Sequence, residues 1–422
     1  MKYFALLTVL LICLIAAPLF AQSGAEFALF LGKANDHILL YRVMLEGTVT
    51  ALSSPDTGDV MVYAGDSSGA AYVTRASDTS LTLHSTDLKM LAAAQTPLTG
   101  MLDARLQLTS QSIYVVGRSI ENKLTLLTFD RTTLAPVAQR STQRTDSAFT
   151  VQAQGDWVIA YNPSGALDVF SLPAITEATF QLVDVAYSEP IWSPAKARLQ
   201  FIGGAKSAPN DRFLYLLDFD TAANQRFPLP AADPQASQHS QWSDHGRYIF
   251  TTTRQQPGTL ILTDVSSGAQ SSISEAGFIL APLSWSHDDS WLLYTAQISA
   301  TSPLDLFAYN VASAESHSVR DLTHTPLTAR WASDSDQLLI IAQGSDQTTS
   351  VSTTTAPLFD NWQPLIPAVN NSIVQSSIQW TGSTLLLEYN GTLLSVDTTT
   401  RSAIRLSPEA IQVVSGSVQL IG

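Results

Sequence analysis

The sequence predicts an all-β protein, a β-propeller of four-stranded blades, and three observations carry that expectation. Short alternating apolar segments fill the chain, a tryptophan-anchored unit recurs along it, and the recurrence has the length of one blade.

The segments run four to eight residues, are rich in Val, Ile, Leu, Thr, Phe and Tyr, and are punctuated by Gly, Asp, Asn, Ser and Pro. A period of two with turn residues between runs is the pattern of strands with distinct faces. The recurring unit is a Trp, a small residue, a polar turn and an alternating strand. It reads IWSPAKARLQFIGG from Ile191, QWSDHGRYIFTTT from Gln241 and SWSHDDSWLLYTAQ from Ser284. RWASDSDQLLIIAQ from Arg330 and IQWTGSTLLLEYNG from Ile378 complete the series. Trp192, Trp242, Trp285, Trp331 and Trp380 are therefore separated by 50, 43, 46 and 49 residues.

Each unit continues into a second pair of strands, as in FLYLLDFDTAANQRFPL, LILTDVSSGAQSSI, LDLFAYNVASAESHSV and LLSVDTTTRSAIRL. LTLHSTDLKMLAAA and LTLLTFDRTTLAPVAQ give the early chain the same shape without the Trp. Such a small sheet cannot bury both faces alone, so neighbours must stack face to face. A Trp at the end of the inner strand can fill the wedge between them.

Units fall at 48–95, 99–140, 147–183, 184–230, 236–275, 279–320, 325–368 and 374–407. EFALFLGKANDHILLYRVM near the start and AIQVVSGSVQLIG at the end are left over, and neither makes a blade alone. Pairing them would close the ring and remove its edges. Residues 48–98 can be read in two strand registers, so the expectation is eight blades within a range of seven to nine.

The first residues read as a targeting segment. Lys2 precedes an apolar run from Phe4 to Phe20, with Pro18 and Ala21 near its end. That order fits a secretory signal over residues 1–21 cleaved after Ala21, leaving 22–422 as one propeller domain. The alternative is an uncleaved anchor, since the run is almost long enough to span a bilayer. Cys13 is the sole cysteine, so a processed chain would contain neither a disulfide nor a thiol. The expected location is outside the cytoplasm, as a monomer not inserted in the membrane.

The chain carries 22 Lys plus Arg against 36 Asp plus Glu, a net charge of −14, with no basic cluster. That surface repels phosphate backbones, so nucleic acid is not an expected partner.

The unit resembles the TolB-type propeller repeat, whose core is roughly W-S-P-D-G followed by an alternating strand. Trp192, Ser193 and Pro194 match its start, Trp242, Ser243 and Gly246 a second copy, and Trp285, Ser286 and Asp288 a third. Ser54, Pro55 and Asp56 look like an early copy lacking the Trp. The resemblance covers nearly all of the chain after residue 21, more strongly in its later half. It implies a scaffold, a receptor or an accessory domain of an enzyme, because such repeats specify a fold and not an activity. TolB itself places another domain ahead of its propeller, for which residues 22–25 leave no room.

Three features invite a chemical reading. Gly65–Gly69, GDSSG, matches the nucleophile pattern G-x-S-x-G. That pattern needs a strand-to-helix elbow, whereas the flanking VMVYA and AAYVT read as two strands. His287, Asp288 and Asp289 could be metal ligands or an acid/base pair, yet the other copies read PAKA, DHG, SDSD and GST there. The position is therefore expected to be a variable polar turn, as are Asp334 and Asp336. His239 and His245 flank Trp242, and His317 and His324 flank Asp321; a pair converging from different blades could hold a metal. Trp157, Trp291 and Trp362 lie off the repeat position and are candidates for a ligand role. Asn370 and Asn390 begin glycosylation sequons.

The expectation is an exported, non-catalytic scaffold presenting loops to a protein or glycan, with no catalytic residue, no metal ligand and no cofactor assigned. The alternative is an exported glycan hydrolase or lyase with an axial site. Asp, Glu, His or Arg gathered from three or more blades at one channel mouth would favour that enzyme.

Overall fold

The computed structural model describes residues 27–87, 93–141, 150–154, 156–161, 167–171, 176–177, 185–186, 188–205, 207–208, 211–229, 239–253, 259–273, 278–297, 305–319, 324–332, 335–344, 346–369 and 378–421. The 1–21 segment with Cys13, and also Asp321, Asp334 and the Asn370 sequon, lie outside them.

Strands dominate, and among the described residues the single helical element is a short 3-10 turn at Pro55–Thr57. The described strands form nine sheets, numbered here in chain order. Sheet 1 takes residues 27–51 together with 412–421. Sheets 2 to 9 span 59–97, 105–141, 150–177, 185–228, 239–273, 278–318, 324–369 and 379–405. Each is an antiparallel meander of four strand positions; in sheets 1 and 5 two short strands share the first. First strands touch first strands across the junctions of sheets 2 with 3 and 7 with 8, which makes them the inner row.

The described residues thus give one sheet more than the eight blades expected. Eight sheets come from consecutive strands, and the two terminal leftovers build the ninth. The ambiguity at 48–98 resolves by division: Val49–Ala51 becomes the outer strand of sheet 1, and Asp59 begins sheet 2. Ser54, Pro55 and Asp56 consequently lie in the crossover between two sheets. They are not the early copy of the Trp turn that the sequence suggests, since the matching hairpin of sheet 2 is at Asp66–Gly69.

Sheet 1 joins the termini. Phe27, Ala28 and Leu29 pair with Ile421, Leu420 and Gln419, and Gly32 and Lys33 pair with Val413 and Gln412. Side chains fasten the same segment to both neighbouring sheets. Gln379 of sheet 9 accepts from Leu420 N–H at 2.6 Å and donates to Val418 O at 2.6 Å. Tyr63 of sheet 2 donates its hydroxyl to Ser417 O, and Gln419 Nε2 donates to Gly65 O at 3.2 Å.

Nine buried apolar clusters, each drawn mainly from two successive sheets, link the described sheets, and one of them joins sheet 9 to sheet 1. The strand Gln337–Gly344 shows how the sequence achieves this. Leu338, Ile340 and Ala342 pack toward sheet 7, while Leu339 and Ile341 pack toward sheet 9. A strand covered on both faces reads as a continuous apolar run.

The repeated tryptophans each reach the preceding sheet. Trp192 packs with sheet 4, Trp242 with sheet 5, Trp285 with sheet 6, Trp331 with sheet 7 and Trp380 with sheet 8. Trp285 is 2% exposed and stacks on Tyr248 at 5.9 Å. Trp157, Trp291 and Trp362 also join these inter-sheet clusters, so core packing accounts for them.

A second device repeats at the turn between the third and fourth strands. Asp130, Asp264, Asn310 and Asp397 each accept backbone N–H bonds from the residues two and three positions on. Four positions on, Leu134, Gly268, Ala314 and Arg401 turn the chain at positive φ. These Asx turns fix the outer hairpins at the same end of the sheets as the Trp turns.

Candidate functional site

The inner hairpins of sheets 6, 7 and 8 bring polar groups together at one end of the molecule. In sheet 6, Ser243 Oγ accepts from the N–H of Arg247 and Tyr248 at 3.1 and 3.0 Å, closing the turn under Trp242. In sheet 7, Ser286 Oγ accepts from Trp291 N–H at 2.9 Å in the same way. In these two sheets the small residue after the Trp is therefore the serine that shapes the turn.

The fourth residue after the Trp is in the left-handed conformation in both: Gly246 at φ 66° and Asp289 at φ 62°. That residue leans over the preceding sheet's turn. A Cβ at Gly246 would meet Ser193 Oγ at 2.5 Å, so glycine is the residue that fits. Asp289, 3% exposed, instead uses its side chain. Its carboxylate accepts from Ser243 Oγ at 2.8 Å and from His245 N–H at 3.1 Å, latching sheet 7 to sheet 6.

Replacing Asp289 by Ala should cost about 2 kcal/mol for the two lost bonds to a charged acceptor. Left-handed strain on the alanine should add about 1 kcal/mol, so Asp289→Gly should be the milder change by that margin in urea denaturation. Equal losses for the two variants would mean the backbone conformation contributes nothing.

Asp288 faces the other way. Its Oδ1 accepts from Ser286 Oγ and Ser290 Oγ at 2.7 Å and from Ser290 N–H at 3.0 Å. Partial burial opposes ionisation, but these bonds, with His287 nearby, hold the carboxyl down to about 2. His287 Nδ1 lies 3.8 Å from Asp336 Oδ1 of sheet 8, and atoms of His287, Asp288 and Asp336 all lie within 4.8 Å of one another. Asp244 of sheet 6 has its carboxyl pushed up by loss of solvent first and then by the charge of Asp289, against the opposing pull of His245, Arg330 and His287. Charged groups from three successive sheets thus interact at one end.

This alters part of the sequence reading. HDD does vary between copies and does form a turn, but Asp289 is a buried inter-sheet latch. Asp336 meets His287, a contact across sheets that spacing along the chain does not reveal. The Asp289 latch did have a signal: Gly246 and Asp289 stand at the same offset from their Trp. Of the other histidines, His245 Nδ1 lies 3.6 Å from Asp289, and His317 packs edge-on against Trp291 at 5.4 Å. The side chains of His239 and His324 lie outside the described residues.

GDSSG is a two-residue hairpin turn, not a nucleophile elbow. Asp66 pairs with Gly69, and Ser67 is exposed at the tip. Asp66 accepts from Ser68 and Gly69 and takes both guanidinium nitrogens of Arg131, at 2.6 and 2.7 Å, joining sheet 2 to sheet 3. Burial opposes its ionisation, yet Arg131 and Ser68 hold it well below the usual carboxylate range. Asn390 and Gly391 likewise form a tight turn, at φ 52° and 71°.

The fold and this repeating turn define a β-propeller. Against models of protein families the sequence finds no match, and against curated proteins it finds none. Among solved structures it is similar to a eukaryotic initiation factor, at 11% identity and a TM-score of 0.59, covering 94% of this chain and 98% of that one. It is also similar to the tricorn protease, at 11% identity and a TM-score of 0.46, where 93% of this chain spans 44% of that longer one. TolB from Acinetobacter baumannii aligns over 75% of this chain and 80% of its own, at 11% identity and a TM-score of 0.36. At these identities the likeness is one of fold. Among the described residues, no helix is long and apolar enough to cross a membrane.

Proposed function

We propose that this chain is an exported, monomeric scaffold that binds a protein or glycan through the end carrying the Trp turns and the Asx turns. The observation that carries the reading is a division of labour within the repeat. Strands, Trp anchors and turn serines recur and are used in packing, whereas the variable residues Asp244, His245, His287, Asp288 and Asp336 gather at one end from sheets 6 to 8. Loops that vary on a rigid scaffold are where binding residues concentrate. The acidic sign of the chain favours a basic or neutral partner over an anionic one.

The same convergence supports a second reading, a glycan hydrolase or lyase, since it gathers Asp, His and Arg from three sheets. Against it, Asp289 and Oδ1 of Asp288 are already committed to serines and backbone N–H groups.

Pull-down of envelope proteins and a glycan panel with the chain tests both. The scaffold reading expects capture that is lost in a variant with Asp244, His245 and Asp336 changed to Ala, and no turnover of any captured glycan. Turnover would establish the enzyme instead, and capture unaffected by the triple change would place binding elsewhere. Export is checked by mass spectrometry of the secreted protein, which should begin near Gln22.

A further inference from the structure

We propose that His287, Asp288 and Asp336 form a binding site for a divalent transition-metal ion, of the manganese-to-zinc range, bridging sheets 7 and 8. The argument starts from a difference between two neighbouring junctions. Sheet 7 is latched to sheet 6 by Asp289, four residues after its Trp, bonded to Ser243, one residue after the preceding Trp. At the junction of sheets 7 and 8 this latch is not repeated. Ser335 stands four residues after Trp331, where Asp289 stands after Trp285, and Ser286 turns its hydroxyl to Asp288 of its own hairpin.

What faces across that junction is a set of ligands. His287 Nδ1 is buried and makes no hydrogen bond, although the ring as a whole is 32% exposed. Opposite it, at 3.8 Å, is Asp336 Oδ1, too far for a hydrogen bond. Asp288 completes the group, and its carboxylate is held in place by Ser286 and Ser290, whose bonds all go to Oδ1 and do not engage Oδ2. Support of a ligand carboxylate by hydrogen bonds from its own shell is how metal sites fix their geometry.

The spacing also fits. Ligands held about 2.1 Å from one ion lie roughly 3 to 4 Å from each other, and the three groups here lie within 4.8 Å. His287 and Asp336, at 3.8 Å, already stand in that range, and a shift of about 1 Å by the exposed carboxylates would close the set. One imidazole nitrogen with two carboxylates selects the borderline divalent ions over calcium and magnesium, which prefer oxygen ligands alone. Three protein ligands would leave coordination positions open toward solvent, where a partner's carboxylate or a water can bind.

Isothermal titration of the untagged chain with zinc chloride and manganese chloride tests the site. One saturable event is expected with at least one of these ions, and a much weaker one with magnesium. His287→Gln and Asp336→Asn should each weaken it about tenfold or more. Both side chains are partly exposed, and unchanged circular dichroism in the variants will separate lost ligation from lost folding. His37 makes another His–Asp pair, with Asp59 at 3.2 Å. His37→Gln should bind as the parent chain does. No saturable binding at millimolar ion, or binding that survives both ligand changes, would overturn the proposal and leave His287 and Asp336 as an ion pair only.

Discussion

Removing residues 412–422 is expected to abolish cooperative unfolding of the whole chain. The segment carries Val413, Val418 and Ile421, all under 10% exposed, into the clusters between sheets 9, 1 and 2. Burying three such side chains contributes about 6 kcal/mol, comparable to the whole margin by which a domain is folded. The deletion also strips the inner partner from Phe27–Ala34 and leaves its ladder groups unpaired. An open edge of that kind recruits other chains. Scanning calorimetry should show a broad transition at much lower temperature, and size-exclusion chromatography should show association. Adding a peptide of residues 412–421 should restore part of the lost stability. A truncated chain that melts like the parent would show that the terminal pairing does not hold the sheets together.

Stability should also fall as the pH drops from about 6.5 to about 4, because of one histidine. His84 is 4% exposed, stacks on Tyr72 at 4.7 Å, and places Nε2 2.8 Å from Thr74 Oγ1. Burial pushes its pKa down from 6.5 to about 4. A depressed value means that the unfolded chain takes up the proton first as the pH falls. The stability tied to neutral His84 is complete above pH 6.5, is lost progressively below it, and is gone below about 4. The full shift corresponds to about 3 kcal/mol. His84→Gln should cost stability at pH 7.5 and flatten the curve between pH 6.5 and 4, read as urea midpoints. The carboxylate of Asp288, held down to about 2, acts below that window, since its contribution is present above pH 3.8 and lost as the pH falls toward 2. A His84→Gln curve parallel to the parent's through pH 6.5 to 4 would assign the acid sensitivity to other groups.

The architecture was legible in the sequence because its determinants are local. Period-two strands, Asp or Asn at the outer turns, and the Trp with its serine each announce themselves within a few residues. The inter-sheet role of the Trp followed from its size and its place at a strand end. The ninth sheet was harder, because its pieces, 27–51 and 412–421, lie at opposite ends of the chain. Each alone is an incomplete sheet, and the pairing of Phe27 with Ile421 is set by nothing nearby in sequence. The candidate site was legible only in outline. HDD was visible as a polar turn, but the partners of Asp289 and His287 are some 45 residues away, in neighbouring repeats. Gly246 and Asp289 looked unrelated as residue types; the positive φ they share is what makes them equivalent.

The way each repeated Trp, and in sheets 6 and 7 also the residue four positions on, reaches the preceding sheet has a consequence for how such a chain can be cut. The stretch that is hydrogen-bonded as one sheet is not the stretch that packs as one unit, because each repeat supplies the plug for its predecessor's socket. A repeat excised at its sheet boundaries removes its own plug from one neighbour and offers an unfilled socket to the next, so both junctions must be rebuilt. Sheets 6 and 7, joined by Trp285 and by the Asp289 latch, would have to be lost or gained together.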